Sequence, residues 1–370
     1  MKIGLISPYD YSSPGGVAVH ISCLACCFAK MGHKVKVIAP CLKGSNNYFG
    51  EEVVVIGNPL PVPSGGSIAR IALSPWLPIR VKRILDKENF DIIHLHEPLV
   101  PMLCSSVLLQ SRSINVGTFH ACHGKPWEYY IGKPIFMSLL SRLRGRIAVS
   151  KPALEFISQH LPGDYHIIPN GVDIERFSPR VSPRRELADG KLNILFVSRL
   201  EERKGLDHLL VAYAKVKRRF PNLRLIIVGP GTRLGSKYEK LTEDMHLSDV
   251  IFTGFVPGAE LPGYYQSADI FCAPATGGES FGLVLLEAMA SGKPVIASNI
   301  EGYTNLLTHG EEGLLASPRD DDALAEALSA LIVDESSRHQ MGAKGRAKAE
   351  KYDWNDIARQ VMDYYINLLS

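Results

Sequence analysis

Short β-branched runs alternate with helical stretches along the whole chain, and the alternation begins twice. IGLIS leads into a helical pattern over 17–31, followed by KVKVIAP, DIIHLH, NVGTFH, RIAVS and YHIIP. From Lys191 it starts afresh with LNILFVS, LRLIIVG, VIFTGF, DIFCAP and KPVIAS, each running into a helical segment. Strands linked through helices pair in parallel, because the crossover returns the chain to the same end of the sheet. The pattern predicts an α/β protein of two doubly wound domains, residues 1–172 and 191–353. Residues 173–190, rich in Pro, Gly and charge, read as a linker. The last segment, 354–370, has helical periodicity and is expected to pack back on the first domain. With 370 residues, each domain is long enough to bury its own core.

Lys and Arg number 41 against 38 Asp and Glu, and a net charge of +3 gives no general affinity for nucleic acid. The seven cysteines lack the paired spacing of a zinc site; Cys23, Cys26 and Cys27 fall at helical i, i+3, i+4 spacing and read as core. The start, MKIGLISPYD, reads as strand and turn, not a leader, and no run approaches the ~18 apolar residues of a membrane span. The expectation is a cytoplasmic protein whose membrane contact is peripheral.

Open α/β sheets bind ligands beyond the carboxyl ends of their strands. LRLIIVGPGTRLG offers Gly229, Gly231 and Gly235, one residue too long for G-x-G-x-x-G and with a Pro in the turn, so a nicotinamide cofactor is not expected. In the first domain Pro14, Gly15 and Gly16 open a helix whose positive end suits an anion; a merely flexible loop is the plainer reading. His94, His96 and Glu97 end one strand; His120, Cys122, His123 and Lys125 follow another. The histidines come from different strands without a repeated ligand spacing, so no metal is expected, and His120 is the one expected to act. In the second domain Arg199 and Lys204 of SRLEERKG sit at a strand end, where two cations suit a diphosphate. Glu201, Glu202 and Arg203 read as a solvated face.

GGESFGLVLLEAMA carries Glu279 and Glu287. Were both helical, they would lie ~12 Å apart and about 80° out of phase. Glycosidase carboxylate pairs stand ~5–9.5 Å apart. A hydrolytic pair is therefore disfavoured, and carboxylates accepting hydrogen bonds from sugar hydroxyls are the alternative.

These residues, with the PGG turn, SRLEERKG, Glu279 through Ala288 and a final YDW, resemble family 4 of the retaining glycosyltransferases over nearly the whole chain. Within that family SPYDYSSPGG, HEPLVP, TFHACHGK, RIAVSK, IPNGVD and APATGGESFG look most like bacterial phosphatidylinositol mannosyltransferases. The resemblance implies the GT-B fold, two facing Rossmann-like domains with a cleft between them. It implies a donor site at Gly15, Gly16, Arg199, Lys204, Val256, Glu279, Phe281, Gly282, Leu283 and Glu287. By that likeness Gly16, through its backbone N–H, takes the diphosphate together with Arg199 and Lys204, Glu279 takes the sugar, Glu287 the ribose, and His120 stands beside the reacting carbon. Tyr9, Arg70 and Lys125 match positions around an inositol phosphate acceptor.

Two positions depart from the pattern: Ala18 stands where relatives carry an acceptor-side Gln, and Gly258 where an acidic residue helps recognise guanine. The Gly258 departure leaves the base, guanine or uracil, open; as a whole the resemblance implies mannose transfer from GDP-mannose to a phosphatidylinositol-type lipid. A UDP-sugar enzyme acting on another lipid or a soluble acceptor is the alternative, and a non-catalytic nucleotide-sugar sensor the alternative of a different class. No metal or cofactor beyond the nucleotide sugar is implied.

In SIARIALSPWLPIRVKRILDKENF, Arg70, Trp76, Arg80, Lys82 and Arg83 interleave with apolar residues as in an amphipathic helix. Such a face suits anionic headgroups at roughly 1 kcal/mol per basic residue, an ordinary solvated helix being the plainer reading. The partners expected are a nucleotide sugar, an anionic phospholipid and the inner membrane face.

Overall fold

The computed structural model describes residues 1–12, 15–42, 52–64, 67–124, 126–230 and 234–369. The chain divides into two compact units, Met1–Gly171 with Trp354–Ser370, and Val172–Asp353.

The first unit runs β1 (Lys2–Ile6), α1 (Gly16–Lys30), β2 (Lys34–Ala39), β3 (Val53–Val55), β4 (Pro59–Ser64), β5 (Ser67–Ala72), α2 (Leu77–Glu88), β6 (Ile92–His96), α3 (Leu103–Gln110), β7 (Ile114–Phe119), α4 (Pro126–Leu140), β8 (Gly145–Ala148), α5 (Lys151–His160) and β9 (His166–Ile167). Its parallel sheet has the order β3-β2-β1-β6-β7-β8-β9, with β4 and β5 forming a separate antiparallel pair. Successive side chains of a strand point to opposite faces. Ile3 and Leu5 of β1 and Ile92 of β6 therefore meet α1 residues such as Ile21, Leu24 and Phe28 in one core layer. Ile6, Ile93 and Leu95 join Leu77, Val81 and Val107 in the other.

The second unit runs β10 (Leu192–Val197), α6 (Leu206–Arg219), β11 (Leu223–Val228), α7 (Gly235–Asp244), β12 (Val250–Gly254), α8 (Leu261–Ser267), β13 (Ile270–Ala273), α9 (Leu283–Ala290), β14 (Val295–Ser298), α10 (Glu301–Thr304), β15 (Gly313–Ala316), α11 (Asp321–Val333) and α12 (Glu335–Ala349). Its parallel sheet has the order β12-β11-β10-β13-β14-β15. The last helix, α13 (Trp354–Leu369), adds Trp354, Ile357, Val361 and Tyr365 to the α1 layer of the first unit.

Several expectations need correction. Residues 173–190 are part of the second unit, because Phe177 and Leu187 bury their side chains in its core. The stretch with the basic residues is not one helix: Arg70 lies on β5, and α2 starts only at Leu77, after the exposed Trp76. On α1, Cys27 is buried but Cys26 is exposed. Among the described residues no helix is long and apolar enough to cross a membrane.

Candidate active site

Strand order reverses at β1/β6 in the first sheet and at β10/β13 in the second. In open parallel sheets a crevice opens at such a switch point, beyond the carboxyl ends of the two strands. The residues singled out from the sequence divide between these two places.

In the second unit β10 ends into Arg199, Glu201, Arg203 and Lys204, while β13 ends into the loop that carries Glu279. Two glycines bring the loops together. Gly205 has φ +70, and a Cβ there would strike the Pro274 carbonyl beyond β13; a Cβ at Gly302 would strike the backbone carbonyl of Glu279. Lys204 Nζ donates to Glu279 Oε1 at 2.6 Å, and Arg203 Nη1 donates to the same oxygen. Arg203 also bonds Glu201 at 3.0 Å and the Gly278 carbonyl at 3.1 Å, and Arg199 pairs with Glu201 at 3.1 Å. Burial by itself pushes the Glu279 carboxyl up, but the Lys204 and Arg203 charges outweigh it and hold the group below its ordinary value. Glu279 is therefore a carboxylate locked in place. Reading Arg203 and Glu201 as a solvated face is corrected: their side chains are only 23% and 12% exposed and bind one another. With three cations against two carboxylates, the cluster keeps one net positive charge, where Arg199 and Lys204 alone suggest two.

Glu279 leads to Phe281, 7% exposed, and Gly282, whose φ of 90 opens α9 at Leu283. The αL conformation there needs glycine. Glu287, in the second turn of α9, is held separately: Tyr265 Oη donates to it at 2.7 Å. Burial pushes its carboxyl up to about 7, against the Tyr265 hydrogen bond and the Arg176 charge. The two glutamates thus belong to different networks, and neither bonds the other. Val256 packs partly buried against the same core. Arg176 Nη2 donates to the Gly258 carbonyl at 2.7 Å, and Glu260 is paired with Arg184 at 2.8 Å.

In the first unit Gly15 caps α1 and Gly16 begins it, both exposed, and the Gly15 cap supplies no side-chain hydrogen bond to the first turn. Tyr9 bridges to Ile71 on β5, and Asp10 donates its N–H to the Arg70 carbonyl at 2.8 Å. The Arg70 guanidinium lies 3.8 Å from the Asp10 carboxylate. Lys125 lies outside the described residues. Arg80, Lys82 and Arg83 are exposed on α2, and Trp76 precedes it, 68% exposed.

His120 follows β7, and its ring contacts His96 at the end of β6, His96 Nδ1 and His120 Nε2 being 3.1 Å apart. Glu97 fixes this turn: its Oε1 accepts the backbone N–H of His120 at 2.6 Å and of Ala121 at 2.8 Å. His94 is committed on both sides, to Tyr365 Oη and to Thr118 Oγ1, each at 2.6 Å. Burial depresses these imidazoles, His94 to about 3 and His96 and His120 well below the usual range, so they stand neutral. The sequence reading took Arg203 for surface and gave Glu97 no role, and it missed Tyr265 and His20 altogether. For His20 a signal existed: it faces inward on α1, towards the strand face that His94, His96 and His120 share.

Residues 14–176 match the family model described as Glycosyltransferase Family 4, and residues 179–348 match that of Glycosyl transferases group 1. The phosphatidyl-myo-inositol mannosyltransferase of Mycobacterium leprae is 38% identical over 370 residues, 99% of this chain and 96% of that one. A GDP-mannose-dependent alpha-(1-6)-phosphatidylinositol monomannoside mannosyltransferase of Mycobacterium tuberculosis is 31% identical over 311 residues, 78% of this chain and 79% of its own. The crystal structure of Anabaena HepE in complex with UDP-glucose has a TM-score of 0.82 at 23% identity, covering 99% of this chain and 100% of that one, a likeness of fold. Two parallel sheets of this build and likeness at 38% identity along the whole length lead to one conclusion: the chain belongs to the family 4 glycosyltransferases and is a glycosyltransferase of the GT-B fold.

Proposed function

We propose that the chain moves a mannosyl residue from GDP-mannose to a hydroxyl of a phosphatidylinositol-type lipid, with retention at the anomeric carbon and without a metal or other cofactor. The likeness to phosphatidylinositol mannosyltransferases supports sugar and acceptor, and the GDP-mannose-dependent relative supports the donor. The observation that carries the reading is the Arg199–Lys204–Glu279 cluster. Lys204 spends one of its three N–H donors on Glu279 and keeps two for a phosphate. Arg199, Lys204 and the N-terminus of α9 stabilise the charge that grows on the departing diphosphate, the work a divalent ion does elsewhere. The leaving phosphate oxygen takes the acceptor proton on the face where the sugar is attacked. Glu279, fixed by two cations, accepts from sugar hydroxyls, Glu287 accepts from the ribose, and His120 stands beside the reacting carbon. Tyr9, Arg70 and Lys125 take the acceptor's phosphate end. The enzyme works in the cytoplasm, held on the inner membrane face by α2.

One observation favours a second reading, a UDP-sugar donor. Gly258 stands where the resemblance expects an acid for guanine's N–H groups, and Glu260, the acid two residues on, is paired with Arg184. Mass spectrometry of products from GDP-mannose, UDP-glucose and related donors, offered with phosphatidylinositol vesicles or soluble inositol phosphates, decides. A hexose-lipid product from GDP-mannose is expected; product from the UDP-sugars alone or without lipid, or no turnover with any of these donors, overturns the reading. Lys204→Ala is expected to lower kcat about 10²–10³-fold, the loss typical of one charge-stabilising donor.

A further inference from the structure

We infer that His20, His96 and His120 form a binding site for a transition-metal ion of the Zn2+ class, and that filling it switches the enzyme off. Three elements converge there: His20 lies on α1, His96 is the last residue of β6, and His120 follows β7. One ring nitrogen from each of the three lies within 4.8 Å of the other two, and His96 Nδ1 and His120 Nε2 are already 3.1 Å apart. Ring centroids are 5.1 Å apart for His20 and His96, 4.8 Å for His20 and His120, and 5.4 Å for His96 and His120. Three imidazole nitrogens on one tetrahedral ion, each at ~2.0–2.1 Å, stand about 3.3 Å from one another. Ring rotations on the order of an ångström close that gap.

The surroundings prepare the rings as ligands. His20 Nδ1 donates to Asn170 Oδ1 at 2.7 Å, which sets the tautomer and leaves Nε2 with its lone pair. An outer hydrogen bond of this kind is the usual support of a metal-bound histidine. Between His96 and His120 the two facing nitrogens share one hydrogen, so a metal there requires that hydrogen to move to the far nitrogen of its ring. His96 can do this without a new penalty. Its Nε2 is buried with no hydrogen-bond partner whichever tautomer it adopts. His94 stacks on His96 at 4.4 Å with both nitrogens committed, so it walls the site and is not a ligand. A set of three neutral imidazoles selects Zn2+, Co2+ or Cu2+ over Mg2+ and Ca2+, which prefer oxygen. Inhibition follows because a cation on His120 stands where the reacting carbon is proposed to sit. That last step rests on the proposed function, whereas the binding itself does not.

Cobalt reports the site directly, since tetrahedral Co2+ gains a strong visible absorption that Co2+ in water lacks. The full-length chain is titrated with Co2+ and, by calorimetry, with Zn2+. One ion per chain is expected, with Mg2+ inert at the same concentration. His20→Gln is expected to weaken binding at least tenfold and Asn170→Ala about 10–100-fold. His339→Ala, on the exposed face of α12, is expected to bind as the parent does. Zn2+ inhibition of sugar transfer should lessen in step with affinity in Asn170→Ala. Absence of the cobalt band, or unchanged affinity in both His20→Gln and Asn170→Ala with far-ultraviolet circular dichroism preserved, overturns the site. Should the donor panel yield no transfer while cobalt still binds, the proposed function falls and the metal site stands.

Discussion

Glu287 carries a pH dependence that can be argued from its own surroundings. Burial raises its carboxyl to about 7, so a large share is protonated just below neutrality. A carboxylate accepts hydroxyl hydrogen bonds more strongly than a neutral carboxyl does, so with Glu287 on the ribose, as proposed, donor binding favours the ionised form. The donor KM is then expected to be about tenfold higher at pH 6 than at pH 8. Stability runs the other way. A carboxyl with a raised value favours the folded state when protonated, so its contribution is present below about pH 4.3, the ordinary glutamate value, and is lost as pH rises through about 7. Tyr265→Phe removes the hydrogen bond that holds the carboxyl down, and the KM step should move to higher pH. Glu287→Gln should flatten it. KM measured across pH 5.5–8.5 checks this; a step that persists in Glu287→Gln assigns the titration to another group.

At the scale of elements, α2 turns Leu77 and Val81 inward and leaves Arg80, Lys82 and Arg83 exposed, with Ile79 49% exposed among them. At roughly 1 kcal/mol per cation, Arg80→Ser/Lys82→Ser/Arg83→Ser is expected to weaken partition onto anionic vesicles about a hundredfold and to leave neutral vesicles unaffected. Cosedimentation reads it, and equal partition of parent and variant removes α2 from the membrane. The helix was legible because its charges repeat on one side. Arg70 lies off the helix, and the β4–β5 pair that carries it gives a weak signal: β4 holds Pro59, Pro61 and Pro63, residues that argue against a strand. A proline every second residue is tolerated on this two-stranded pair, where alternate N–H groups point away from the partner. The parallel strands were readable because their apolar runs are buried on both faces. Arg203 was not, since a charge in a loop shows its partner only once β10 and β13 lie side by side, as the Arg203–Glu279 bond requires. His20 falls at helical spacing among the apolar residues of α1, but that it meets His96 and His120 shows only once α1 packs on β6 and β7.

For the whole molecule, the path of the chain has a consequence of its own. It builds most of the first unit, completes the second, and returns with α13, so the first unit is discontinuous in sequence and the second is not. Removal of α13 strips Trp354, Ile357, Val361, Met362 and Tyr365 from the α1 core layer. At about 1.5–3 kcal/mol per large apolar side chain, that loss is comparable with the ~5–15 kcal/mol that holds an ordinary domain together. Two specific contacts go as well: Tyr365 Oη leaves His94 Nδ1 buried without its partner, and the Trp354 ring no longer packs on His20, 5.0 Å between ring centres. A chain ending at Asp353 is therefore expected to lose the first unit and keep the second. Limited proteolysis should degrade residues before Val172 rapidly and spare a fragment spanning 172–353. That fragment's cores draw on no residue of α13, and it retains the Arg199–Lys204–Glu279 cluster. Calorimetry with GDP and with UDP should find nucleotide still bound by the truncated chain, more weakly than by the parent because Gly15 and Gly16 are lost with the first unit, while transfer is abolished. Protection of residues 1–171 equal to that of the parent would show that the α1 layer closes without α13.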